Sequence, residues 1–369
     1  MKRILLIAVL LSMAACAFAV GDQAYWGMFA ETSLQKTAGM PEMPQMPEID
    51  LSQLPPGMRD KMPHMVPGMG GPTRSFTIRL WSPGIAPAEA TASVAPPPGL
   101  KQGTKLDLEL YRPKPGETGG EGESGQPANP NMTIKFYWGS SPTVKPGQPK
   151  VFTFGNLTPE QQGAMRRQAR ETTSYFYKEN WTTGYWPTKQ QPGKIAKDAS
   201  LVGNYALTTN YTGNVSIDCP ANVNFLNPIT MTNPVLSEAI PLDAPIAFKW
   251  NPIPNLLGSH AMIFGMEGQN TFILWSSSEV WQEGMMSVDW GYMQMAEVLK
   301  YVQDTVMMAG SRTNVTVPAS IFKNCDFVRF QMTGYGPGAA RDETQPLPRI
   351  QTKTSLTIML GGKMMQGMQ

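Results

Sequence analysis

Several stretches of this chain alternate apolar and polar residues with a period of two, and each is closed off by proline or glycine. Phe76, Ile78 and Leu80 alternate with Thr77, Arg79 and Trp81, and Leu106, Leu108 and Leu110 with Asp107, Glu109 and Tyr111. Ile134, Phe136 and Trp138 alternate with Lys135, Tyr137 and Gly139, and Tyr205, Leu207, Thr209 and Tyr211 make a further run. A period of two puts successive side chains on opposite faces of an extended backbone, so these runs read as half-buried strands. The breaks between them (Ser82-Pro83-Gly84, Pro96–Gly99, Pro113–Pro115, Lys145-Pro146-Gly147) carry turn chemistry. With 35 Gly and 34 Pro in 369 residues, long helices have little room. The expectation is an all-β protein of two β-sandwich-like domains with short inserted helices, behind a signal peptide and a Pro/Met-rich linker.

The N-terminus sets the compartment. Lys2 and Arg3 precede the apolar run Ile4–Leu11, and small residues lead to Ala17-Phe18-Ala19. This is the layout of a secretory signal over residues 1–19, too short to span a bilayer. Met13-Ala14-Ala15-Cys16 resembles a bacterial lipobox, which would retain Cys16 as a lipid anchor. Export to the periplasm or outside the cell is expected, released or lipid-anchored, with no transmembrane helix. Beyond the signal, Cys219 and Cys325 remain, and a disulfide between them is one expectation, two buried thiols the other.

Residues 20–72 read as a largely disordered linker, in which Met40, Met43, Met46, Met58, Met62, Met65 and Met69 are interleaved with proline. A short helix within Asp22–Thr37 would carry Tyr25, Trp26, Phe29 and Leu34. Met40-Pro-Glu-Met43-Pro-Gln-Met46 and Met62-Pro-His64-Met65 resemble the Met-rich motifs of periplasmic copper-handling proteins, since thioethers are soft ligands for Cu(I). With 26 Met spread over the chain, however, a Met-rich linker needs no metal. No metal or other cofactor is expected.

Residues 73–227 hold the first set of strands, the polar loop Glu117–Asn131, and a helix from an N-cap at Thr158 to about Glu171. Arg166, Arg167 and Arg170 give that helix a basic face, which needs only solvent. Tyr175, Phe176, Tyr177, Trp181, Tyr185 and Trp186 form the aromatic run that a saccharide platform would use. The same residue types also fill strands and cores. The candidate ligand-binding residues are therefore Tyr175, Tyr177, Trp181, Tyr185 and Trp186.

Residues 228–369 carry a resemblance. Pro245-Ile-Ala-Phe248-Lys-Trp250-Asn-Pro252-Ile-Pro254 is followed by Ser259-His260-Ala-Met262-Ile-Phe264-Gly and Thr271-Phe-Ile-Leu274-Trp275-Ser. These segments resemble strand B, a Pro-containing turn, strand C and the next strand of a fibronectin type III-like or related immunoglobulin-like module, with Trp250 as the inward Trp. Asn314-Val-Thr-Val317-Pro318 and Phe327–Tyr335 resemble strands E and F, Ile229–Val235 strand A, and Ser355–Leu360 the last strand. His260 stands where strand C usually carries Tyr, and an insertion at about 281–310 departs from the pattern. There Tyr292, Met295, Leu299, Val302 and Val306 predict a helix of about 15–18 residues with an apolar stripe. The resemblance implies a binding or spacer module.

Charge and motifs exclude several classes. Thirty basic and 28 acidic residues give a net charge of +2, and Lys2 and Arg3 supply it, so the exported chain is formally neutral. Counterion release cannot drive nucleic-acid binding on so balanced a chain. No serine elbow, P-loop or paired-His zinc motif occurs, and the two His, His64 and His260, lack a catalytic signature. No catalytic residue is expected. The function expected is that of an exported, non-enzymatic structural or interaction protein whose partner is a protein or polysaccharide. The alternatives are a carbohydrate-binding protein using residues 175–186 and a hydrolase with an unrecognised site.

Overall fold

The computed structural model describes residues 24–40, 71–113, 131–156, 180–281, 290–291, 293–342 and 349–362. In chain order the strands begin with β1 (Tyr25–Thr37), β2 (Thr73–Ser82), β3 (Ala92–Ala95), β4 (Leu106–Asp107) and β5 (Glu109–Tyr111). Next come β6 (Thr133–Trp138), β7 (Lys150–Thr153), β8 (Thr182–Trp186), β9 (Gly203–Thr209) and β10 (Val215–Cys219). The second half adds β11 (Met231–Asn233), β12 (Ile246–Trp250), β13 (Gly258–Glu267), β14 (Thr271–Ser276), helix α1 (Met295–Gln303) and β15 (Met308–Ala309). The chain closes with β16 (Asn314–Val317), β17 (Phe327–Tyr335), β18 (Ala339–Ala340) and β19 (Arg349–Gly361). The all-β class holds.

One long sheet runs in the order β5-β8-β2-β1-β19-β17-β13-β14-β6-β7, with β15 and β18 on its margins. Two short sheets, β10-β9-β3-β4 and β11-β12-β16, lie against it. The first buries Val94, Leu106, Tyr205, Leu207 and Ile217 against Trp26, Met28, Phe76, Ile78 and Leu80. The second buries Phe248, Trp250, Val315 and Val317 against Ile263, Trp275, Phe330, Leu356 and Ile358. Two cores therefore exist, but the strands of the two expected sequence regions interleave in a single sheet. β6 and β7, from residues 73–227, extend its far edge beside β14.

The linker expected over residues 20–72 is corrected at its start. Tyr25–Thr37 forms neither a helix nor disordered chain; it is a strand at the centre of the long sheet. Trp26, Met28 and Ala30 alternate inward, and β1 is satisfied on both sides, antiparallel to β2 and parallel to β19. Both β1 and β19 pass from one core to the other. Trp26, Met28, Ala30 and Ile350 serve the first, and Leu34, Ala38, Leu356, Ile358 and Leu360 the second. The changeover is a polar row in which Thr32 lies between Arg74 and Thr354. Arg74 donates to the Ala199 carbonyl at 3.0 Å and sits 4.9 Å above the Phe225 ring. The hydroxyls of Thr32 and Thr354 are buried with no partner among the described residues.

The run Leu106–Leu110 is also corrected: one alternating segment becomes two strands in different sheets. Leu106 and Asp107 pair with β3, the Leu108 amide bonds to the Ala92 carbonyl at 2.9 Å, and the chain then crosses to β8 as β5. The inserted helix is shorter than expected. α1 opens on a capping box, with the Gln294 amide donating to Glu297 at 2.8 Å. It ends at Asp304, before Thr305 turns left-handed at φ 57°. Val298 is buried, whereas Leu299, placed on the apolar stripe by spacing, is 50% exposed.

Of the two expectations for Cys219 and Cys325, the structure has the buried thiols and not the disulfide. Both are thiols, and each is buried in a different core. Burial pushes the Cys219 thiol up to about 12, and its S–H points at the Val223 carbonyl, 3.4 Å away. The signal peptide, the helix at Thr158–Glu171, nearly all of the loop Glu117–Asn131 and the Met-Pro segment beyond Met40 lie outside the described residues. No helix among the described residues is long and apolar enough to cross a membrane.

Candidate functional site

The face of the long sheet turned away from the cores carries a cleft of about 210 Å³, where the two halves of the sheet meet. Its floor follows from register. Alternation sends Met28 and Ala30 inward and leaves Phe29 and Glu31 on the outer face, on the floor of the cleft. Opposite them, β2 presents Arg79, Thr77 and Ser75, and β19 presents Arg349, Gln351 and Lys353. One wall is built by Met293, Met295 and Val298 of the inserted segment, another by Tyr335, Gly336 and Gly338. The Gly338 amide donates to the Met295 sulfur at 3.2 Å, and Tyr335 donates its hydroxyl to the Trp290 carbonyl, tying the walls together.

The charges on the floor differ in their commitments. Glu31 is paired with Lys353 at 3.3 Å and accepts the Ser355 hydroxyl at 2.5 Å, so its charge is answered within the protein. Arg79 uses Nη1 on the carbonyls of Ile78 and Trp186, at 3.0 and 3.4 Å. Its Nε and Nη2 have no partner among the described residues. Arg349 is only 3% exposed and lines the same cleft. Ser75, Thr77 and Gln351 likewise make no side-chain hydrogen bond among the described residues. Among the described residues the cleft therefore offers Nε and Nη2 of Arg79 and the hydroxyl and amide groups of Ser75, Thr77 and Gln351 without side-chain partners.

The aromatic residues singled out from sequence do not form one platform. Trp181 and Trp186 are buried, at 7% and 1% exposure. Trp186 packs into the first core against Phe76, with Nε1 donating to Gln191 at 3.1 Å. Trp181 stacks on Tyr25 beside Phe29 and Trp81, on the outer face. Tyr185 is half-buried on that same face, next to Arg79. Its hydrogen bond to Glu109 raises its phenol above the usual range, with burial adding to the effect. Tyr175 and Tyr177 lie outside the described residues. Consecutive strand residues point to opposite faces, so a contiguous aromatic run cannot present all its rings to one ligand.

His260 has a partner that sequence spacing did not show. Its Nε2 lies 2.8 Å from the Ser276 hydroxyl, a distance that suits a base and a nucleophile. The surroundings do not suit that chemistry. His260 is 4% and Ser276 1% exposed, and the Trp290 ring lies flat on the imidazole at 3.6 Å. Burial pushes the imidazole down to about 3. Ser276 also accepts the Ser278 amide at 3.2 Å. No substrate atom can reach this pair in the present packing. No group of three or more His, Cys, Asp or Glu among the described residues is placed to hold a metal.

Sequence reasoning missed Phe29, Glu31, Arg79, Gln351, Arg349 and Lys353. These are the ordinary outward members of alternating strands, and only the pairing of the first strand with the last brings them together. No family model matches the chain, and neither curated proteins nor solved structures give a significant match.

Proposed function

We propose that the chain is an exported, non-enzymatic structural or interaction protein of the cell envelope or extracellular space, and that it engages its partner at the cleft over the long sheet. The observation that carries this reading is the contrast between the two polar sites. The cleft keeps donors and acceptors of Arg79, Ser75, Thr77 and Gln351 without side-chain partners among the described residues, whereas the Ser276–His260 pair is sealed beneath Trp290. The strand order supports a fibronectin type III-like reading of residues 228–369. The strands expected as A, B and E are neighbours in β11-β12-β16, and those expected as C, its successor, F and the last run side by side as β19-β17-β13-β14. Such modules bind or space other molecules.

A polysaccharide is the favoured kind of partner, because Ser75, Thr77 and Gln351 line the cleft with hydroxyl and amide groups beside the aromatic residues Phe29 and Tyr335. The test is Thr77→Trp, which fills the cleft from an outward-facing strand position. The variant is expected to lose retention on immobilised envelope polysaccharide while melting at the wild-type temperature. Unchanged retention would move the binding surface elsewhere, and steady turnover of ester or glycoside reporters would overturn the non-enzymatic assignment.

A further inference from the structure

We propose that the outer face of the long sheet carries a second interaction surface, away from the cleft, which docks the protein on an anionic phospholipid bilayer. Gly258, packed against α1, opens β13, and the surface lies near the other end of that strand. In β17, β13 and β14 the inward positions Phe330, Ile263 and Ile273 fill the second core, which turns their neighbours outward. Register then sets Phe327, Met266, Phe272, Ile134 and Phe152 in one row across β17, β13, β14, β6 and β7. Phe264 stands in the next row, its ring 5.5 Å from that of Phe272 and 6.3 Å from that of Phe327. All six are half-buried. Phe152 stacks on Trp281, but the other five belong to neither core nor any smaller apolar cluster. Four strand spacings of about 4.8 Å make the row roughly 19 Å wide. A contiguous apolar face of that breadth marks an interaction surface.

The charges on the patch decide what it meets. The row that holds Phe264 runs from Arg329 on β17 to Lys150 on β7, so a cation stands at each end of it. Both are exposed, and neither has an ion-pair partner among the described residues. The nearby carboxylates are already answered. Glu267 points to the opposite face, 3.5 Å from Lys135, and Asp326 accepts the Gly268 amide at 2.8 Å. A second copy stacked face to face would set cation against cation whichever ends met, so the charge favours an anionic partner over self-association. From β17 to β6 the strands under the patch have neighbours on both sides, so a partner strand finds no free backbone there. What remains is side-chain surface, which a bilayer takes without a shaped pocket. Phenylalanine and methionine side chains enter the acyl boundary, while Arg and Lys lay their stems along them and reach the phosphates.

The experiment is co-sedimentation of the exported chain from Val20, free of any acyl group, with two kinds of vesicle. One is phosphatidylcholine alone, the other phosphatidylcholine mixed with phosphatidylglycerol. The protein is expected to sediment with the anionic vesicles and to be released as salt rises. Arg329→Gln and Lys150→Gln, at exposed positions, should each weaken that binding about fivefold at an unchanged melting temperature. Phe264→Thr combined with Phe272→Thr keeps strand-forming residues and should abolish it, with the fold checked by circular dichroism. If that pair fails to fold, the two charge variants decide. A wild-type chain that stays in solution with anionic vesicles would overturn the proposal. So would equal sedimentation with neutral vesicles, or undiminished binding by either folded set of variants.

Discussion

His260 is kept neutral because its ring is enclosed by Trp290 and the sheet, and ionising it there would leave a charge without water. The consequence for stability has a definite sign. The imidazole takes a proton near 6.5 in the unfolded chain and only at about 3 in the folded one. Between those values the unfolded state holds more protons, so stability is complete above pH 6.5 and falls as the pH drops toward 3. One proton contributes at most about 1.4 kcal/mol per pH unit. His260→Gln keeps a polar partner for Ser276 and removes the titration. Urea unfolding of the two proteins at several acidic pH values should show the wild type losing more stability than the variant. Equal losses would mean that His260 is not the group responsible. The His–Ser contact was not legible beforehand, because residues 260 and 276 sit on separate strands joined by a turn, with no local motif around either.

At the scale of the element, α1 is held to the sheet through a glycine. A Cβ placed on Gly258 would stand 2.6 Å from Val302 Cγ2 and 3.1 Å from Val298 Cγ1, so the helix occupies space that any side chain would claim. Gly258→Ala should cost about 1–3 kcal/mol through overpacking. It should also disturb the Met295–Val298 wall of the cleft, weakening ligand retention along with stability. Thermal melting and retention of the variant check both, and unaltered values would show that α1 docks loosely. The helix was foreseen from the spacing of Met295, Val302 and Val306, but that spacing continued beyond the true end. Nothing in the apolar pattern marks the left-handed turn at Thr305. Strands were legible wherever alternation was strong, as in Phe76–Leu80 and Ile134–Trp138. Tyr25–Thr37 escaped because its apolar cluster fits a short helix as well as a strand, and only its long-range partners decide between them.

For the molecule as a whole, the feature with the widest reach is that β1 and β19 serve both cores. Two separate domains would melt independently, whereas shared strands make each core depend on the other. Calorimetry should therefore give a single transition with equal calorimetric and van't Hoff enthalpies. Trp26→Ala in one core and Phe248→Ala in the other should each lower that same transition, at a cost of about 3–5 kcal/mol. Two resolved transitions would mean that the cores are uncoupled. The cleft shares this origin, since its floor needs Arg79 and Glu31 from the first strands and Arg349 and Lys353 from the last. The bond from Ser355 to Glu31 spans 324 positions of the chain. At about 5–20 residues per second, ribosomes need roughly 15–65 s to make the second partner after the first. Through that interval the opening strand has β2 on one side but lacks β19 on the other, and so high a contact order slows closure further. A chain built this way completes its long sheet, and with it the floor of the cleft, only when the final strand arrives.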